Sequence, residues 1–294
     1  MRVPAPVEEA GQGGGYPVTA AKIERVGLIG LGKMGLPMGR HLAAKGFKVA
    51  GYDLRDSARA EAAKHGIAAG DSPARVAAAS DLTIVVVGFD SDVETAMFGK
   101  GGVMEGAKKG SVVAVASTIS PSTMREIGDR IGKSGVALLD APLCRGEGAA
   151  EAGTLLLMGG GDEAAFEACR PAFAAFADSV HYLGPLGAGQ VGKMVNNLIL
   201  WACISANTEA LGLAGRLGVA EGPLRAALCD SSAGNWALAT QVYRLPMPWA
   251  EKDMTIVLKE ADAVRVSLPL SGVVKEVIKG IKIARGEGMP ESGG

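Results

Sequence analysis

The chain has 294 residues, 48% of them hydrophobic and 21% charged, a globular composition long enough for one large domain or two ordinary ones. A formal net charge of −1 leaves no basic field for nucleic acid, and 4% aromatic residues supply too few rings for base-stacking platforms. Cys144, Cys169, Cys203 and Cys229 lie far apart with no C-x-x-C pair. They read as reduced thiols of a cytoplasmic protein rather than a disulfide framework, and with His41, His65 and His181 isolated, no metal cluster is expected.

Residues 1–21 contain Pro4, Pro6, Glu8, Glu9 and a glycine-rich run ending at Gly15. They lack an apolar h-region, so a flexible leader is expected rather than a signal peptide. From Glu24 to about Gly184 short β-rich runs alternate with helical stretches. Strands are predicted over Arg25–Ile29, Lys48–Tyr52, Leu82–Val87, Ser111–Ala116, Val136–Asp140, Thr154–Met158 and Val180–Leu183. Several are continuous Val/Ile/Leu runs, as expected of parallel strands buried on both faces. Gly46 and Gly66 close helical runs, and Ser120-Pro121 supplies an N-cap with a first-turn proline. The pattern predicts a doubly wound α/β domain over residues 22–185.

After Gly184-Pro185 the pattern from Ala188 to Leu217 is a single helix without proline. At roughly 30 residues it would span ~45 Å, too long to fold back on one sheet. It is expected to lead into an all-helical domain, residues 186–294, with further helices over Glu221–Asp230, Asp253–Ala263 and Ser271–Ala284 and a loop marked by Pro246 and Pro248. The most apolar stretch, Leu198 to Ala206, is about nine residues against the ~20 of a membrane span, so no membrane partner is expected.

The first strand runs into Gly30-Leu31-Gly32-Lys33-Met34-Gly35, a G-x-G-x-x-G that opens a helix. Gly30 permits the tight turn, Gly32 lets backbone approach a pyrophosphate, and Gly35 lets helix and strand pack closely. The helix N-terminus offers free N–H donors for the phosphates. Asp53 ends the next strand, where it can hydrogen-bond a ribose and repel a 2′-phosphate. Arg55 could instead receive that phosphate, or stand as an exposed charge. NAD is therefore expected, with NADP as the alternative.

The loop continues as Met34-Gly35-Leu36-Pro37-Met38, and three more stretches follow in order: Asp140-Ala141-Pro142 leading to Gly153-Thr154-Leu155, then Gly189-Gln190-Val191-Gly192-Lys193-Met194-Val195-Asn196-Asn197, then Lys252-Asp253-Met254. Together they resemble the β-hydroxyacid dehydrogenase family, which includes 3-hydroxyisobutyrate dehydrogenase, tartronate semialdehyde reductase and relatives of 6-phosphogluconate dehydrogenase. The resemblance spans roughly Val26 to Ala284. It implies an N-terminal Rossmann-like domain joined by a long helix to a helical substrate and dimerisation domain. It also implies hydride transfer between NAD(P) and a small β-hydroxy acid, with Lys193 as general acid/base and Asn197 holding substrate and lysine. The residues agree with this chemistry: Lys193, Asn196 and Asn197 stand at i, i+3 and i+4 on one helix face, and alcohol oxidation needs a base for the hydroxyl proton. The alternative is a solvated lysine beside two asparagines that a helix disfavours. The resemblance further places Val87, Gly88, Thr118 and Lys252 along the cofactor, while Asp253 reads as an acid fixing a helix start.

Family members usually read D-A-P-V-S-G-G where this chain has Asp140-Ala141-Pro142-Leu143-Cys144-Arg145-Gly146. The resemblance implies that Cys144, Arg145 and Gly146, with Asn196, receive the substrate carboxylate. Arg145 could clamp an additional anionic group, face solvent, or touch a cofactor phosphate. Cys144 makes a poor covalent nucleophile, since no nearby sequence feature lowers its pKa. The family's phenylalanine upstream of Lys252 is not evident, and Leu245 stands nearest. An imine reductase-like enzyme and a non-catalytic dinucleotide sensor or scaffold are the rival readings, which the retention of Lys193 and both asparagines disfavours. A homodimer or homotetramer is expected from the helical domain.

Overall fold

A computed structural model describes residues 22–290, so the expected leader lies outside the described residues. The first half runs β1 (Arg25–Ile29), α1 (Gly35–Ala44), β2 (Lys48–Tyr52), α2 (Asp56–Ala63), β3 (Ala68–Ala69), α3 (Pro73–Ala78), β4 (Leu82–Val85), α4 (Asp90–Phe98), α5 (Val103–Gly106), β5 (Val112–Val115), α6 (Pro121–Ile131) and β6 (Ala137–Asp140). Then come β7 (Leu143–Cys144), α7 (Gly146–Ala152), β8 (Leu155–Gly161), α8 (Glu163–Phe173) and β9 (Ala177–Tyr182). The remainder is helical: α9 (Ala188–Arg216), α10 (Glu221–Cys229), α11 (Trp236–Thr240), a 3-10 turn at Val242–Arg244, α12 (Ala250–Ala263) and α13 (Pro269–Ala284).

The strands form one sheet in the order β3-β2-β1-β4-β5-β6-β8-β7, with β9 beside β8. Pairing is parallel from β3 to β6, and antiparallel where β8 meets β6 and β7. Alternation along β5 explains why its sequence is apolar throughout. Val112 and Ala114 join the core under α1 and α8 with Leu28, Met38 and Phe166, while Val113 and Val115 join the other with Val85, Met97 and Ile127. The chain leaves β1 for β2 and β3 on one side and returns to β4 on the other. The crevice at the carboxyl ends of β1 and β4 is the topological switch point, where open α/β sheets bind ligands.

The structure departs from the predicted strands where pairing is short or glycine-rich. β3 and β7 are two residues each, too short to show alternation. β4 stops at Val85 because the Val87 amide turns away to donate to Ser117 Oγ at 2.8 Å. β8 continues through Gly159-Gly160-Gly161, where the missing side chain admits an aromatic ring: a Cβ on Gly159 would lie 1.9 Å from Phe166. Ser120 does precede α6, yet its hydroxyl donates to Asp90 at 2.6 Å rather than capping its own helix.

The helical half has its own core, centred on Ile204, Leu238, Met254, Val257, Val274 and Ile278. Helix α9 carries an 18-residue window of mean hydropathy 1.3, long and apolar enough by composition to cross a membrane, where the sequence reading counted only Leu198 to Ala206. Helix α12 begins three residues before the expected start at Asp253, which places that residue inside the first turn.

Candidate active site

At the end of β1 the three glycines divide their duties. Gly30 adopts a left-handed backbone with φ +101°, and a Cβ there would sit 2.2 Å from the Val86 carbonyl oxygen. A Cβ on Gly35 would lie 1.9 Å from the Gly30 carbonyl oxygen, so that glycine is required for α1 to pack on the turn. Gly32 differs: the nearest atom to its missing Cβ is Arg55 Nη2 at 3.5 Å. The protein does not need Gly32 bare for its own packing, which leaves an open cradle that a pyrophosphate fits. Helix α1 has Met34 at its N-cap, no capping side chain and no acid in its first turn, so the dipole faces the cradle unopposed.

Asp53 is buried beneath this loop. Its Oδ2 accepts from the Leu31 amide at 2.8 Å, and its Oδ1 from the Arg55 amide and Nε, both at 3.0 Å. Burial pushes the Asp53 pKa up, but the Arg55 guanidinium and the two amides outweigh it and hold the carboxyl below its usual range. The Leu31 amide is thus spent on Asp53 rather than on a phosphate. Lys33 lies exposed at the rim, paired with Glu147 at 3.2 Å.

Two loops and a helix meet at the carboxyl edge of the sheet beyond the cradle. Val87 and Gly88 follow β4, Thr118 follows β5, and Lys252 reaches across from α12 to donate to the Thr118 carbonyl. Lys252 Nζ also lies 5.9 Å from the Trp249 ring and 6.0 Å from the Phe89 ring, which pack edge-on against each other. The Trp249 ring covers Gly88, 3.4 Å from that residue's missing Cβ. The aromatic residue beside Lys252 is therefore Trp249, three residues upstream, whose ring packs on Gly88 and Phe89, and not Leu245.

Asp140 terminates β6 with no exposed surface and fixes the start of α9. Its Oδ1 accepts from the Gly187 amide at 2.8 Å and its Oδ2 from the Gln190 amide at 2.7 Å. Burial raises its pKa against the pull of these amides. The buried Gln190 side chain then bridges Ser117 O at 2.8 Å and the Ile119 amide at 3.2 Å, on either side of Thr118. One turn along α9, Lys193 Nζ stands 3.8 Å from Cys144 Sγ.

Asn196 donates to Asn197 Oδ1 at 3.0 Å, and Asn197 donates to Asp253 Oδ2 at 2.9 Å. Trp201 Nε1 donates to the same oxygen at 3.3 Å. The expectation that Asp253 fixes a helix start is corrected here. Its carboxylate is buried against α9 and orients Asn197. Burial raises the Asp253 pKa while Lys252 and Lys193 oppose it; burial lowers that of Lys252, and Lys193 adds to the fall. Two lysines and one buried acid share a single local field.

Arg145 needs the second correction. It occupies a left-handed backbone, φ 80°, where the family pattern has glycine. Its guanidinium is bound to Asp178 Oδ1 at 2.5 Å and to the Thr154 carbonyl at 2.9 Å. Of the readings left open for Arg145, the structure favours none that needs an additional anion, since Asp178 of β9 already partners the cation. Gly146 follows, also left-handed, and opens α7.

A glycine cradle at the switch point of a parallel sheet is the architecture of a dinucleotide-binding domain. Residues 25–184 match the family described as the NAD binding domain of 6-phosphogluconate dehydrogenase, and residues 187–291 match the NAD-binding domain of NADP-dependent 3-hydroxyisobutyrate dehydrogenase. The chain belongs to the β-hydroxyacid dehydrogenase family, and it is an NAD(P)-dependent dehydrogenase of that family. It is 31% identical over 266 residues to 2-(hydroxymethyl)glutarate dehydrogenase of Eubacterium barkeri, covering 87% of this chain and 88% of the relative. It is 35% identical over 227 residues to the NAD-dependent L-serine dehydrogenase of Pseudomonas aeruginosa, covering 77% and 74%. Among solved structures, the Mycobacterium tuberculosis 3-hydroxyisobutyrate dehydrogenase with L-serine superposes with a TM-score of 0.79 at 27% identity, covering 89% of this chain and 94% of that one.

Proposed function

We propose that the protein interconverts a short 3-hydroxy acid, of the 3-hydroxyisobutyrate or tartronate semialdehyde class, with its 3-oxo partner. Lys193 is the proton-transfer residue. The observation that carries this reading is the position of Lys193 Nζ beside Cys144 Sγ, in the loop where the family pattern places the substrate carboxylate. NAD(P) supplies the hydride acceptor for the alcohol and the hydride donor for the carbonyl. The protein's part is to hold the carboxylate on the Cys144–Gly146 loop and at Asn196, orient the carbinol through Asn197, and move the proton. A neutral Lys193 takes the hydroxyl proton as the carbinol C–H leaves with its electron pair; in reverse, protonated Lys193 returns it. Lys252 adds a positive field beside the same carboxylate. Steady-state turnover on a panel of short 3-hydroxy acids, with NAD and NADP, tests the reading; a panel without turnover would remove it.

Val87, Gly88 and Thr118 line the cofactor in this reading, above Gly30 to Gly35. NAD is the proposed partner, because Asp53 stays ionised and Arg55 spends its charge on Asp53. The ratio of kcat/KM is expected to favour NAD over NADP, and Arg55→Ala is expected to widen it by exposing the Asp53 carboxylate to a 2′-phosphate. A ratio that favours NADP in the wild type would show that Arg55 turns to the phosphate instead.

We also propose self-association as a homodimer or homotetramer. Val191, Val195, Ile199, Leu213 and Leu217 are exposed along α9 or at its end at helical spacing. Burial of that stripe against a second copy, rather than in lipid, accords with Gln190 and Asn197 being bound to buried acids of this chain. Sedimentation at micromolar concentration should give an even multiple of the chain mass; a strictly monomeric result opposes it. The free thiols of all four cysteines support the proposed cytoplasmic setting.

A further inference from the structure

The end of α13 gathers three side chains on one target. Helix α13 closes with Gly286 at φ +69°; the Gly286 amide donates to Ile283 O at 3.1 Å, and the Glu287 amide to Lys282 O at 2.9 Å. This is the paired bonding of a Schellman cap, which reverses the chain and turns Glu287 back alongside Lys282 and Arg285. All three then engage the segment from Tyr243 to Glu251. Arg285 donates to Tyr243 O at 2.7 Å and Leu245 O at 3.1 Å, and the Met247 amide donates to Glu287 at 2.7 Å. Lys282, with 1% of its side chain exposed, donates to Pro248 O at 3.3 Å and pairs with Glu251 at 3.0 Å.

A buried ammonium is costly unless paired and hydrogen-bonded, so its retention here needs a structural reason. The segment it holds is otherwise irregular, containing Pro246 and Pro248 and few backbone bonds of its own. That segment delivers Trp249 and Lys252 to the site: Pro248 precedes Trp249, and Glu251 precedes Lys252.

We propose that Lys282, Arg285 and Glu287 form a strap that positions Trp249 and Lys252 against bound substrate, making them positioning residues remote from the chemistry. The proposal rests on the reading of Trp249 and Lys252 as the substrate wall. The strap sets how tightly a hydroxy acid is held and leaves the cradle at Gly30–Gly35 untouched, since none of its contacts reaches the sheet.

The test compares full-length wild type with Arg285→Met and Lys282→Met by amide hydrogen exchange, NADH binding and steady-state kinetics. Exchange over residues 243–252 is expected to accelerate by at least ~10-fold while β1 to β6 stay protected. KM for the hydroxy acid should rise by about 10-fold with kcat and NADH affinity each within about 3-fold, because the interaction lost is made in ground and transition state alike. Arg285→Lys, which keeps the charge and one donor nitrogen, should fall between wild type and Arg285→Met. Unchanged exchange overturns the strap, and so does faster exchange with unchanged KM. If Lys282→Met fails to fold, Arg285→Met carries the test, since it removes two hydrogen bonds and the 3.7 Å ion pair with Glu287 at the partly exposed edge. A wild type that turns over no hydroxy acid would remove the proposed substrate class, while hydrogen exchange still decides whether the strap holds the segment.

Discussion

Replacing Lys193 with alanine is expected to lower kcat by ~10²–10⁴, the usual worth of a general acid/base, with NADH affinity nearly unchanged. The separation follows from geometry. Lys193 projects from α9 towards Cys144, whereas the cradle is built from Gly30, Gly32 and Gly35 at the end of β1. The substitution removes the contact to Cys144 Sγ but leaves Asn197 held by Asp253 and the helix start by Asp140. The variant should therefore fold and bind cofactor while losing turnover. A purified Lys193→Ala protein with near-wild-type kcat would take Lys193 out of the mechanism.

The second large effect separates Gly32 from Gly35. Gly35→Ala drives a methyl to within 1.9 Å of the Gly30 carbonyl, backbone against backbone, with no flexible side chain to give way. A loss of ~3 kcal/mol or more in stability is expected, and with it at least about 100-fold in NAD(P) affinity. Gly32→Ala meets only the end of Arg55 at 3.5 Å, so its unfolding midpoint should match wild type within ~0.5 kcal/mol. Its methyl nevertheless occupies the cradle, and cofactor affinity should still fall by ~10-fold or more. Denaturant unfolding and NADH titration read the two quantities separately. Equal destabilisation by both variants, or undiminished NADH binding by Gly32→Ala, would contradict the assignment of the cradle.

What the sequence made legible was local. The G-x-G-x-x-G turn, Asp53 at the end of the next strand, and Lys193 with Asn197 one turn apart each depend on neighbours within a few positions or one supersecondary unit. What it hid was long-range. Asp253 looks like a helix-starting acid until the fold carries it against Asn197 and Trp201, more than fifty positions away. Arg145 looks unpaired until β9 brings Asp178 to it, thirty-three positions on. Gln190 lies inside a recognised motif, yet its bridge to Ser117 and Ile119 exists only across the sheet edge. Trp249 carries a usable signal, an aromatic side chain three residues before Lys252. The strands β3 and β7 are too short for any periodicity to announce them.

The Gln190 bridge has a mechanical consequence. It ties the first turn of α9, one turn before Lys193, to the same loop that carries Thr118, and Asp140 rivets that turn to the end of β6. Lys193, the proposed proton-transfer residue, and the Thr118 loop are thereby joined through buried hydrogen bonds of the fold itself. A hinge at the start of α9 would have to break buried hydrogen bonds to a carboxylate. Lys252 of α12 is bonded to the Thr118 carbonyl, so α12 braces the same loop that α9 does.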